Sequence, residues 1–169
     1  MSIPEGSHTI GPSNGSLKVK TGREGAASKA GHDLTLGVTS WEATVEGGDS
    51  PSIKLTADPS SIDVIKGEGG AKPLGDKDKA DIKKSMDSKV LGSSQITFTS
   101  SEVTDSEAKG ELSIAGKSND VSVPLNVSGD KISGSVTLSQ SDYGIKPFKA
   151  LMGALKVKDE VTVEFEGKL

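Results

Sequence analysis

His32 and Asp33 are the adjacent pair whose side-chain types best suit acid–base chemistry in this 169-residue chain. A histidine oriented by a carboxylate can move protons near neutral pH. A hydrolytic set would also need a nucleophile, and the chain has no cysteine and no Gly-x-Ser-x-Gly elbow. His8 is the only other histidine, which argues against a multi-histidine metal site. The glycine-rich stretch Gly67–Gly75 lacks the phosphate-loop spacing followed by Lys-Ser or Lys-Thr. The charges of Asp76–Asp87 read as the solvated face of a helix, with Asp76 or Asp78 as its cap. His32 is then a residue that fixes a loop by hydrogen bonding, or a contact for the polar head of a ligand. The chain reads as non-enzymatic, with no cofactor and no metal.

The apolar pattern carries more information than the polar one. Val121, Val123, Leu125 and Val127 form an unbroken two-residue stripe, and Ile132, Gly134, Val136 and Leu138 return after Gly129–Asp130, a type II′ hairpin signal. Val161, Val163 and Phe165 repeat the pattern near the C-terminus. Strands are expected at 17–21, 34–46, 53–58, 96–103, 107–115, 120–128, 131–139 and 161–168. Leu34, Leu36 and Val38 lie on one parity, whereas Trp41, Ala43 and Val45 lie on the other. This predicts a bulge or bend at Thr39–Ser40. Pro124 lacks the N–H of a central ladder, so a place at a bulge or beside a seam is expected for it. Between 139 and 161 runs an apolar crossing segment broken by Pro147 and glycines, expected to lie across one end of the barrel. The one helix, Asp76–Asp87, has few apolar residues, helped by Val90 and Leu91 beyond its end.

These elements define an all-β fold: an eight-stranded antiparallel up-and-down barrel over residues 1–169 as one domain. It carries one short helix and an apolar crossing loop before the last strand. Composition narrows the partners. The net charge is −4 and there is no basic run, so no nucleic acid is expected. No apolar run approaches the length of a transmembrane segment. Residues 1–16 lack the charged and apolar regions of a signal peptide. The chain as given is therefore expected in the cytoplasm, or in the periplasm or medium if it is a processed form.

Six segments, in order, resemble a known family: Ala30–Leu34 (AGHDL), Leu55–Ile62 (LTADPSSI), the charged helix, Ile96–Val103 (ITFTSSEV), Gly110–Val127 and Ser141–Glu164. Over roughly residues 7–169 the chain resembles the YceI-like family, the lipocalin-like polyisoprenoid-binding proteins. The AGHD segment and the Lys-Pro-Phe loop are most similar to actinobacterial members. The resemblance implies an elongated barrel with an apolar tunnel for a polyisoprenoid lipid, of the polyprenyl quinone or polyprenyl phosphate type. One departure is that Ser93, Ser94 and Gln95 stand where members often carry Tyr-Pro.

In that tunnel the wall candidates from the strand stripes are Ile53, Leu55, Ile96, Phe98, Leu112 and Ile114, with Val123, Leu125, Val136, Leu138, Val163 and Phe165. Trp41 is either core or wall. Phe148, Leu151, Met152 and Leu155 plug the barrel or line its opening, and His32 is the candidate head-group contact. With aromatics at 3% of the chain, aliphatic walls suit a flexible tail better than a flat ring system. The competing reading is a filled barrel serving as a structural or protein-interaction domain. The oligomeric state, a homodimer included, is left open.

Overall fold

The computed structural model describes residues 3–70, 73–87 and 94–169. Val90, Leu91 and Ser93 lie outside that set. Among the described residues, twelve strands form one antiparallel sheet that curls into a barrel-like wall. They are β1 Gly6–Ile10, β2 Gly15–Glu24, β3 Asp33–Val38, β4 Trp41–Gly47, β5 Ser52–Ala57 and β6 Ile62–Glu68, followed by β7 Ile96–Val103, β8 Glu107–Ile114, β9 Lys117–Ser128, β10 Lys131–Ser139, β11 Lys149–Ala150 and β12 Leu155–Lys168. The lateral order is β1-β4-β5-β7-β8-β9-β10-β12-β2-β3-β6, with β11 on β12. The all-β barrel class is as expected; the strand count of eight is corrected.

The difference has local causes. The segment 34–46 does bend at Thr39–Ser40, and its halves pair with different neighbours: β3 with β2 and β6, β4 with β1 and β5. The chain makes a second corner beside the first, where a turn at Pro59–Ser61 leads β5 into β6. The two corners are tied by Thr39 N donating to Ser61 O and Asp58 N donating to Ser40 O, both at 3.0 Å. The Asp58 carboxylate accepts from Ser60 Oγ (2.7 Å) and Ser60 N (2.9 Å), and these bonds hold its carboxyl below the usual range. Strand β6 was missed because exposed Ile65 interrupts the alternation of Ile62 and Val64 with polar neighbours. The register of β12 makes its start Leu155, so part of the expected crossing loop is strand.

Pro124 explains a seam in the wall. Leu125 N donates to Ser106 O at 2.8 Å, on the β8 side. Successive N–H groups along a strand face opposite edges, so position 124 would aim its N–H at β10, and proline has none to offer. Pairing of β9 with β10 accordingly covers only Leu125–Ser128 opposite Lys131–Gly134. Beyond that point side chains close the gap: Val121, Val136 and buried Leu138 pack with Tyr143 and Ile145. Asn119 Nδ2 bridges to Asp142 O at 2.8 Å.

The α-helix α1, Asp76–Ser85, packs on β6. It starts one residue after Gly75, whose N–H donates to Asp78 Oδ2 at 3.0 Å, so Asp78 reaches back from the first turn rather than capping from outside. Lys83 anchors the helix to the second corner through Ser60 O and Asp63 (3.7 Å), and it also pairs with Asp87 one helical turn on (3.3 Å).

Candidate functional site

Cross-strand register stacks the inward side chains in rows. Ile132, Gly167 and Gly15 form the first row across β10, β12 and β2. Gly134, Phe165 and Leu17 form the second. Val136, Val163, Val19 and Leu36 make the third, and Leu138, Val161, Thr21 and Leu34 the fourth. The fifth brings Val157 opposite Arg23.

The first row is solid, and the second forms the floor of the cavity above it. A Cβ on Gly15 or Gly167 would come within 2.7 or 2.5 Å of Ile10 Cγ2, so the glycine pair makes the space that fully buried Ile10 fills. Trp41 is buried beside them and meets Phe165 edge-to-face, with ring centroids 5.8 Å apart. Ile132 and Val45 are also fully buried at this end.

Above them the interior opens into a cavity of about 690 Å³. Ligand pockets span about 300–1,000 Å³, so this volume is far more than a packing defect. Its walls are predominantly aliphatic, and several inward residues, among them Leu55, Leu112, Val123 and Val163, stay only half-buried because they face the void. The opposite sheet contributes Ile53, Leu55, Ile96, Phe98, Leu112, Ile114, Val123 and Leu125; Leu74, Ile82 and Met86 close one side from the helix region.

Polar groups gather where the rows end. Arg23 lines the cavity, and its Nη1 donates to Gly31 O (2.8 Å) and Glu68 O (3.1 Å). The loop at Gly69 and Gly70 folds over this group: a Cβ there would lie 2.3 Å from Arg23 Nη2 or 2.8 Å from His32 Nε2. His32, Lys156, Gln140, Asp78 and Asp81 line the same cavity. One row below Arg23, Thr21 Oγ1 is buried with no hydrogen-bond partner among the described residues. Burial pushes the Tyr143 phenol up, and the neighbouring Asp142 carboxylate adds to the effect. No cluster of three or more metal-ligating side chains occurs among the described residues.

The model of the YceI-like domain matches residues 9–169, nearly the whole chain. The chain belongs to the YceI-like family. No curated protein matches it closely. Among solved structures, this YceI-like protein is similar to BcnA of Burkholderia cenocepacia, with a TM-score of 0.63 and 18% identity over 90% of this chain and 94% of that one. It is also similar to the YceI protein of Campylobacter jejuni, at a TM-score of 0.50 and 13% identity over 79% and 82% of the two chains. At these identities the similarity establishes the fold. The family is known for binding polyisoprenoids, which makes a lipid-binding barrel the function at family level.

The structure of this YceI-like protein brings most of the expected wall residues to one cavity: the twelve strand positions, together with Phe148 and Leu155 from the crossing segment, and His32. The wall reading of Trp41 and the placing of Met152 are corrected. Trp41 is core, the other reading open for it: it lies in the close-packed end and does not line the cavity, because β4 continues past the corner into that end. Met152 is fully exposed at the tip of the β11–β12 hairpin, where φ is +58°. The side chain of Leu151 lies outside the described residues. Sequence reasoning missed the β2–β3 wall, Leu17, Val19, Leu34 and Leu36, although the alternation there was visible. It also missed Arg23, which sits at the end of the same parity as Leu17, Val19 and Thr21; that parity was the available signal.

Proposed function

We propose that this protein is a non-enzymatic carrier that holds an isoprenoid tail in the barrel cavity, with the head group at the Arg23–His32 end. The ligand class is a long-chain amphiphile of the polyprenyl quinone or polyprenyl phosphate type. The observation that carries the reading is the unfilled aliphatic cavity of about 690 Å³ above a solid barrel end. A flexible tail needs only such walls. Burying each methylene contributes about 0.8 kcal/mol, so roughly three isoprene units offset the several kcal/mol that association costs. The few convergent polar side chains at one end suit a ligand with one polar terminus.

Native mass spectrometry of the purified protein, followed by organic extraction, tests this reading. A bound mass differing by five-carbon increments among species is the expected result. An apo mass that takes up no polyprenyl quinone or polyprenyl phosphate when these are offered would make the barrel a structural or interaction domain instead.

A further inference from the structure

The hairpin at the cavity opening has a composition unlike the rest of the chain. From Tyr143 to Lys158 there are four lysines, Lys146, Lys149, Lys156 and Lys158, and no acidic residue, in a protein of net charge −4. No ion pair involves any of the four among the described residues. Phe148, in the same segment, is exposed on one side and lines the cavity on the other. Met152 is wholly in water at the hairpin tip.

This exposure is built into the fold. Ala27 N donates to Ala154 O at 2.7 Å, and Val157 N donates to Phe148 O at 3.0 Å, so the hairpin is tied at both its tip and its base. Met152 occupies a left-handed backbone conformation that non-glycine residues seldom adopt. The tethered hairpin therefore presents a large apolar side chain outward, flanked by Lys149 and Lys156, which face each other across the strand pair.

We propose that this hairpin is a docking surface for an anionic lipid membrane, placing the cavity opening against the bilayer. Apolar side chains at the tip enter the acyl boundary while the lysines meet anionic head groups; each such cation near an anionic surface adds to the attraction. The choice of a bilayer over an acidic protein rests on the carrier reading above, because the cavity behind Phe148 would then exchange its tail with the surface on which the hairpin sits. The helix across the opening adds no comparable patch, since its lysines alternate with Asp76, Asp78 and Asp81.

Co-sedimentation with phosphatidylcholine vesicles, with and without phosphatidylglycerol, tests the proposal. Binding at least about tenfold tighter to the anionic vesicles, weakened by salt, is expected. Lys146→Glu with Lys149→Glu should abolish it, and Met152→Ser should weaken it severalfold. None of these three residues lines the cavity, so uptake of a polyprenyl quinone from solution should be unchanged in each variant. Wild-type protein that takes up the quinone yet ignores anionic vesicles overturns the docking surface and leaves the carrier reading intact. Vesicle binding that survives the double lysine change overturns the assignment to this hairpin. Vesicle binding lost in the variants, in a protein that takes up no quinone, supports the docking surface and removes the carrier reading.

Discussion

The two ends of the barrel are built from the same strands with the same alternation, yet one is solid and the other hollow. At the solid end Ile10 fills the space left by Gly15 and Gly167, and Trp41 stacks edge-on to Phe165. At the hollow end Val136, Val163, Val19 and Leu36 stand side by side in one wall and face a void. The interior of a small barrel can be filled by side chains or hold one ligand. What decides between them is whether large residues and a plugging segment are supplied at a given level. An inward stripe thus marks a wall and says nothing about what stands behind it.

Breaking the solid end should have the largest effect on stability. Trp41→Ala should cost about 3–5 kcal/mol, read from chemical denaturation, because a close-packed aromatic leaves a cavity. A loss under 1 kcal/mol, or about that, would mean this end is as loose as the other. In the hollow end the same logic runs in reverse. Val136→Trp should unfold no earlier than wild type by more than about 1 kcal/mol, since the ring has a void to enter, while isoprenoid uptake is lost. Were the interior filled, overpacking would cost about 1–3 kcal/mol or more, and denaturation would report it.

Thr21→Val sharpens the boundary between aliphatic rows and polar opening. The buried hydroxyl has no partner among the described residues, so an isosteric apolar side chain should raise stability, by about 1 kcal/mol at most. A loss of stability would show that the hydroxyl is satisfied in solution.

The smallest effect is expected at the corners that join the two ends. Ser60 holds the folded Asp58 carboxyl below its unfolded value of about 4. Its contribution is thus complete at neutral pH and is lost as pH falls from the unfolded value through the lower folded one. Asp58→Asn should lower the melting temperature slightly at pH 7. The difference should shrink at acid pH, as the wild-type carboxyl takes up its proton below the lowered folded value. An equal difference at both pH values would place the effect elsewhere.

Much of the architecture was legible because local chemistry and global fold agree. The meander from Ile96 to Ser139 reads directly from period-two stripes and short turns, and the opposite parities around Thr39–Ser40 announced the corner. Pro124 announced the seam, since a missing N–H has the same consequence in any sheet. Ile65 hid β6 because an exposed apolar residue erases alternation. The exposure of Met152 was hidden for a related reason, as hydrophobicity alone assigns such a residue to a wall.

Local chemistry set most of the strands, their inward faces, the corner and the seam, all consequences of backbone geometry within a few residues. Packing between distant segments settled which inward residues meet a partner and which face a void. That depends on Ile10, Trp41, Ile82 and Met86 arriving from distant parts of the chain. It likewise decided that Arg23 stands at the end of an aliphatic column under a glycine loop, because volume and register are set between segments and not along them.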